Sequence, residues 1–207
     1  MSKGARTKET IVAAAMKAAS VEGFNGLSIG NLATRLGMSK SGLFAHFGSK
    51  EELQKAVMDA SSQLFLEAVW KPARATPRGL PRLRKLFDLW LAWMDSNPDL
   101  PGGCILTAAA TEMDDKPGPV RDKLVAMQNE WMATLARGAE LAVNEGHFRA
   151  DLDCQQFAFE LSGIVFSLSF YTRLLRDPQA RFRAEAAFDD LIRRAAPAPA
   201  IQLANDL

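Results

Sequence analysis

Ser28, Lys40, Ser41 and Lys50 are the residues between positions 28 and 50 best suited to holding an anion, and none of them is placed to make or break a bond. Ser28 and Lys50 fall at expected helix N-termini, where free backbone N–H groups and the positive end of the helix dipole attract negative charge. The Lys50 amine can also pair directly with a phosphate. Lys40, Ser41 and His46 share the outer side of a short helix whose inner side is Leu43 and Phe47. Hydrogen-bonding and cationic groups on a solvated helix face are the chemistry of contact with a polyanion. Residues for catalysis are not assembled anywhere. There is no glycine-rich phosphate loop, no His-x-x-x-His pair and no nucleophile elbow. The two histidines, His46 and His147, lie far apart in the chain, and Asp114-Asp115 beside prolines reads as a capped turn before a metal site. The expectation is a protein that is not an enzyme and needs no cofactor or metal.

A second group of residues has the composition of a ligand pocket, which is usually apolar with a few polar anchors. Trp90, Trp93 and Met94 share a face of one segment, Trp131 lies on a later one, and Phe166 on a later one still. The plainer reading is a helical core. Cys104, Ala108 and Glu112 follow at four-residue steps, so a thiol and a carboxylate share a helix face. Glu112 could anchor a ligand amine or hydroxyl, or face water. Cys104 opens its helix, where the dipole favours the thiolate that attacks electrophiles. As a free cysteine it can equally be a small apolar filler. The ligand set expected from this pattern is Trp90, Trp93, Met94, Cys104, Glu112, Trp131 and Phe166.

The elements that must position these residues are all helical. Alternation of apolar and polar residues is scarce, while Ala, Leu, Met, Glu, Lys and Arg abound. Apolar spacing and breakers predict nine helices, at about 5–21, 29–36, 40–46, 50–71, 81–96, 104–113, 120–145, from Asp151 or Asp153 to 175, and 178–195. Ser28, Ser39 and Ser49 stand where N-caps belong. Gly37 supplies the left-handed residue that a tight turn between the second and third helices needs. Ala33 allows those helices to cross closely, and Ile29, Leu32, Leu36, Met38, Leu43 and Phe47 are spaced to fill a small core. That arrangement is a helix-turn-helix, or else an αα-hairpin within a bundle.

Charge favours the first reading. Through Lys55 the chain carries eight Lys and Arg against four acids, and the remainder 17 against 20. A basic head on a mildly acidic body suggests that only the head meets a polyanion. With 48% hydrophobic residues a sizeable core can form. No run nears the ~18 apolar residues of a membrane span. The apolar stretch Ile11–Met16 is too short for a secretory signal, and two cysteines 50 residues apart form no disulfide framework. A soluble, cytoplasmic protein is expected.

The run Gly37-Met-Ser-Lys-Ser-Gly-Leu-Phe-Ala-His-Phe-Gly-Ser-Lys-Glu-Glu-Leu53 resembles the TetR (tetracycline repressor) family of bacterial regulators, whose pattern is close to Gly-Val-Ser-Lys-Gly-Thr-Leu-Tyr-x-His-Phe-x-Ser-Lys-Glu-Glu-Leu. Thr10-Ile-Val-Ala-Ala-Ala and Gly23-Phe-Asn-Gly-Leu-Ser-Ile also fit, so the match covers about residues 7–55. The resemblance implies an all-α fold of about nine helices. A three-helix DNA-binding domain (1–50) precedes a ligand-binding and dimerisation domain (51–195) and a tail (196–207). It implies a homodimer through helices eight and nine, about 155–194, that places two recognition helices in successive major grooves of a palindromic operator. A hydrophobic or electrophilic effector then swings helix four and releases the DNA. It assigns the DNA face to Ser28, Ser39, Lys40, Ser41, Gly42, Phe44, His46 and Lys50. Phe44 departs from the family's usual tyrosine: the ring can touch a thymine methyl but cannot donate to a phosphate. The competing reading is a helical small-molecule-binding or redox-sensing protein whose helix-turn-helix is incidental, and it leaves the basic head unexplained.

Overall fold

The computed structural model describes residues 2–95 and 97–198, and every regular element among them is helical. The helices are α1 (Lys3–Gly26), α2 (Ile29–Arg35), α3 (Lys40–Phe47), α4, α5 (Leu80–Asp95), α6 (Ile105–Glu112), α7 (Pro119–Asn144), α8 (Cys154–Arg173) and α9 (Ala180–Ala195). The α4 helix begins as Lys50–Phe65, continues through a π turn at Leu66–Trp70 and ends with Lys71–Arg74. Of the expected tail, 199–207 lies outside the described residues.

Local chemistry accounts for the helix starts. The hydroxyls of Ser28, Ser39 and Ser49 accept from the N–H groups of Asn31 (3.4 Å), Gly42 (3.0 Å) and Glu52 (3.0 Å), and Asp153 accepts from Gln155 and Gln156. Each such cap is worth about 1 kcal/mol. Gly37 turns the chain from α2 to α3 with φ 63°, and Met38 N–H closes the turn on Ala33 O at 2.9 Å.

Two helices differ from expectation. The first runs through to Gly26, but Gly23 breaks its backbone at φ 74°, ψ 173°. The fourth does not stop before Pro72. Proline in an α-helix presses its ring on the carbonyl four residues back. Here Lys71 N–H bonds Leu66 O, five residues back, so the wider π turn resets the register just before the proline.

Packing divides the chain into two compact units. One is the chain up to Ala73 with Leu86–Trp131, the other Arg74–Lys85 with the chain from Met132 onward. In the first, α1 packs on α2, α3, α4 and α6. Ile11, Ala15, Phe24, Leu27, Leu32, Ala33, Leu43, Leu53 and Val57 form its buried heart. Ile29, Leu36 and Met38 stay only half-buried, because the short α2 and its turn lie at the rim of this core.

The C-terminal end of α1 is clamped by distant residues. The Glu112 carboxylate receives the N–H groups of Phe24 (3.2 Å) and Asn25 (3.0 Å), just past the break at Gly23. Gln54 donates to Phe24 O, Lys116 to Asn25 Oδ1, and Gly102 N–H to Ser20 Oγ. Two bonds to one carboxylate make Glu112 the strongest of these ties. Glu112→Ala is therefore expected to lower unfolding free energy by about 2 kcal/mol. Urea denaturation curves with equal midpoints for the two proteins would show the carboxylate to be idle.

In the second unit α8 packs along α9. The Phe148 and Phe157 rings meet at a tilt with centroids 5.2 Å apart, Arg84 pairs with Asp189 at 2.9 Å, and Glu160 on α8 pairs with Arg194 on α9. That arginine, with Gln156, holds the Glu160 carboxyl below the usual carboxylate range. Among the described residues, no helix is long and apolar enough to cross a membrane.

Candidate functional site

The outer side of α3 is left to solvent. Leu43 and Phe47 point into the core, while Lys40, Ser41 and Phe44 are exposed. An open concavity between α2 and α3 is lined by Ser28, Ile29, Gly30, Lys40, Ser41 and Phe44 with Ala45. Phe44 is 48% exposed and stands at this concavity. His46 is half-buried in the last turn of α3.

Several expected contacts are already occupied within the chain. Ser39 Oγ caps α3 and lies 3.2 Å from Ser41 Oγ. A Cβ at Gly42 would sit 3.0 Å from that Ser39 oxygen, so the bare glycine makes room for the cap. The Lys50 amine donates to Asn25 O at 3.1 Å, tying α4 to the end of α1. Gly30 was not singled out by its sequence context. The Lys40 stem crosses it, with Cε 2.9 Å from where a Cβ would stand.

The charges of the head are unevenly neutralised. Arg35 is paired with Glu22 at 2.5 Å and Lys55 with Glu52. Lys8 lies over the Phe47 ring at 5.2 Å. Lys40 makes no ion pair among the described residues, and its charge stands at the concavity.

The residues expected to line a pocket separate into three groups. Trp90, Trp93 and Trp131 come together around Phe65, whose ring meets theirs edge-on at 6.0, 5.4 and 5.1 Å. Trp70 joins them through Trp131 at 6.1 Å. Met94 is buried on the same helix as Trp90 and Trp93. Cys104 is the half-buried N-cap of α6, its side chain making no capping hydrogen bond. Glu112 is spent on the backbone of α1. Phe166 belongs to the second unit and lies at its surface. Phe65 and Trp70 were not foreseen. Phe65 stands three residues after Ser62 and four after Ser61, an unremarkable setting in a one-dimensional reading.

Two family patterns match this chain. Residues 11–57 fit the bacterial regulatory proteins of the tetR family, and 79–188 fit the tetracyclin repressor-like C-terminal domain. The second alone spans more than half of the chain. The chain belongs to the TetR family. It is accordingly a transcriptional regulator with a helix-turn-helix DNA-binding domain, and the TetR family is one of regulators rather than of enzymes.

Several solved structures share the fold over nearly the whole length. A TetR transcriptional regulator from Chloroflexus aurantiacus J-10-FL is 24% identical, with TM-score 0.83, covering 96% of this chain and 100% of its own. AibR, solved with isovaleryl coenzyme A and operator DNA, is 22% identical, with TM-score 0.70 and coverage of 93% and 99%. A regulator from Saccharomonospora viridis in complex with choline is 18% identical, with TM-score 0.79 and coverage of 94% and 100%. No functionally curated protein sequence matches the chain.

Proposed function

We propose that this TetR-family protein is a cytoplasmic repressor, a homodimer that binds an inverted-repeat operator and leaves it when a small hydrophobic effector binds the body. Residues 1–50 read the DNA and 51–195 bind the effector and form the dimer. The observation that carries the reading is the outer face of α3, where an unpaired lysine, a hydroxyl and a bare phenyl ring stand together over a concavity. A phosphate suits Lys40 and Ser28, base edges suit Ser41 and His46, and a thymine methyl suits Phe44.

Dimerisation is supported by what α8 and α9 leave uncovered. Phe159 (71% exposed), Phe170 (51%) and Phe182 (67%) are large apolar groups on these two helices, and Phe166 lies with them. A second copy of the same face would bury them, as a two-fold interface requires. Among relatives of the same fold, AibR is found with operator DNA and a thioester ligand, and the Saccharomonospora viridis protein with choline, which supports pairing a DNA head with a small-molecule body.

One recognition helix of about two turns reads few bases, so specificity rests on two copies held roughly 34 Å apart. Selection from random duplexes should return inverted repeats, bound more tightly than scrambled DNA at physiological salt by roughly 10³-fold or more, the usual specific-to-nonspecific ratio. Equal affinity for both would end the proposal. Lys50→Ala, which frees Asn25 O and removes a cation, should lower the log–log salt slope by about 1. A parental slope with lowered thermal stability would assign Lys50 to the α1 tether alone.

A further inference from the structure

Two polar atoms are buried without a partner among the described residues, Trp93 Nε1 and Ser61 Oγ. Their residues are 6% and 1% exposed. Buried polar side chains are nearly always hydrogen-bonded, and an indole N–H can only donate. A serine inside a helix ordinarily bonds the carbonyl one turn back, and Ser61 does not. Both orphans belong to neighbours of Phe65, one by its place on α4 and one by ring contact. Ser61 precedes Phe65 by four residues, hence on the same face of α4, and the Phe65 and Trp93 rings are 5.4 Å apart.

The aromatic cluster around them has a closed end and an open one. Trp90 and Trp93 are buried, while Phe65, Trp70 and Trp131 are half-buried and reach solvent. Phe65 fills the centre, edge-on to three indoles, and is the last residue before the π turn of α4. A group that took its place would meet three indole rings, one of which carries an unpaired N–H, with the Ser61 hydroxyl on the same face of α4.

We propose that this cluster is a binding site for a small planar molecule that carries a hydrogen-bond acceptor, of the ketone, ester or quinone class. Its ring takes the central position as the Phe65 ring turns to the open end. Its carbonyl oxygen receives the Trp93 indole N–H and the Ser61 hydroxyl. The proposal rests on the effector-binding role given to the body above and narrows it to one ligand chemistry. Indole faces also attract cations, but a quaternary ammonium has no acceptor and would leave both polar atoms unpaired.

All four tryptophans of the chain belong to this cluster, so the indole region of a ¹H–¹⁵N spectrum reports on it alone. Trp93→Phe removes and thereby identifies one of the four signals. Titration of the full-length protein with acetophenone should move that signal downfield and saturate. The hydrocarbon α-methylstyrene has the same shape without the acceptor, and should bind more weakly by on the order of tenfold without the downfield shift. Trp93→Phe and Ser61→Ala should each bring acetophenone affinity down toward that of the hydrocarbon. Equal binding of the two probes, tighter binding of benzyltrimethylammonium, or no saturable response to acetophenone would overturn the proposal. Operator binding by the same sample without ligand is measured alongside. If it persists while the titration fails, the ligand site is wrong and the regulator reading stands.

Discussion

Gly102→Ala is expected to destabilise the first unit by about 3 kcal/mol. A Cβ at this position would stand 1.6 Å from Ser20 O, 2.0 Å from Ser20 C and 2.5 Å from Val21 N. All three are backbone atoms of α1, so no side chain can swing aside to make room. The segment before α6 must move away, and the bond from Gly102 N–H to Ser20 Oγ is lost with it. The loop and α6 together hold the end of α1, through Ser20 on one side and Glu112 on the other. Both ties loosen in the variant. For a chain of this length the loss corresponds to a fall in melting temperature of roughly 6–12 °C. Calorimetry checks it: melting within a degree of the parent would mean that the loop accommodates the methyl group and that the close approach is not required.

Gly163→Arg is expected to convert the proposed dimer to monomer at micromolar concentrations. Within one chain a Cβ at Gly163 meets nothing within 4 Å, and arginine is a better helix former than glycine, so the monomer should fold at least as well as the parent. Gly163, Ser167, Tyr171, Arg183, Ala184 and Ala187 line a shallow groove on α8 and α9, beside the uncovered phenylalanines. In a close two-fold contact the new guanidinium would be buried near Arg183 and Arg194, and the one acid of the groove, Glu160, is already paired with Arg194, so the added charge costs several kcal/mol by order of magnitude. Operator affinity should fall with the dimer, because a single recognition helix remains. Light scattering reads the mass and a melting curve reads the fold. A dimer of normal mass would move the interface off this face. A monomer with parental operator affinity would separate dimerisation from DNA binding.

The head was legible in the sequence because its determinants are local. A serine three residues before the N–H it caps, a glycine at the turn between α2 and α3, and a small residue at their crossing all act within a few positions of one another. Their types therefore announce the geometry, and Ser28, Ser39, Ser49, Gly37 and Ala33 occupy the expected places. The same holds for the all-helical body, whose apolar spacing marks each helix and which side of it turns inward. Spacing does not say what that side meets. Glu112 was visible as a carboxylate on a helix face, but its partners lie 88 and 87 residues earlier, in a stretch of backbone opened by the break at Gly23. Gly102 is by its neighbours an ordinary loop glycine, and only the backbone of Ser20 against it leaves no room for a side chain. Phe65 carried no local signal, yet its ring is the meeting point of three tryptophans drawn from α5 and α7. Pro72 marked a helix end by the usual rule, which assumes α-helical register and fails when a π turn comes just before it. Sequence alone thus determined which helices form, where they start and which face of the head is polar. Tertiary structure decided which side chains meet across the chain, because a contact between segments tens of residues apart depends on how the helices pack and leaves no period to read.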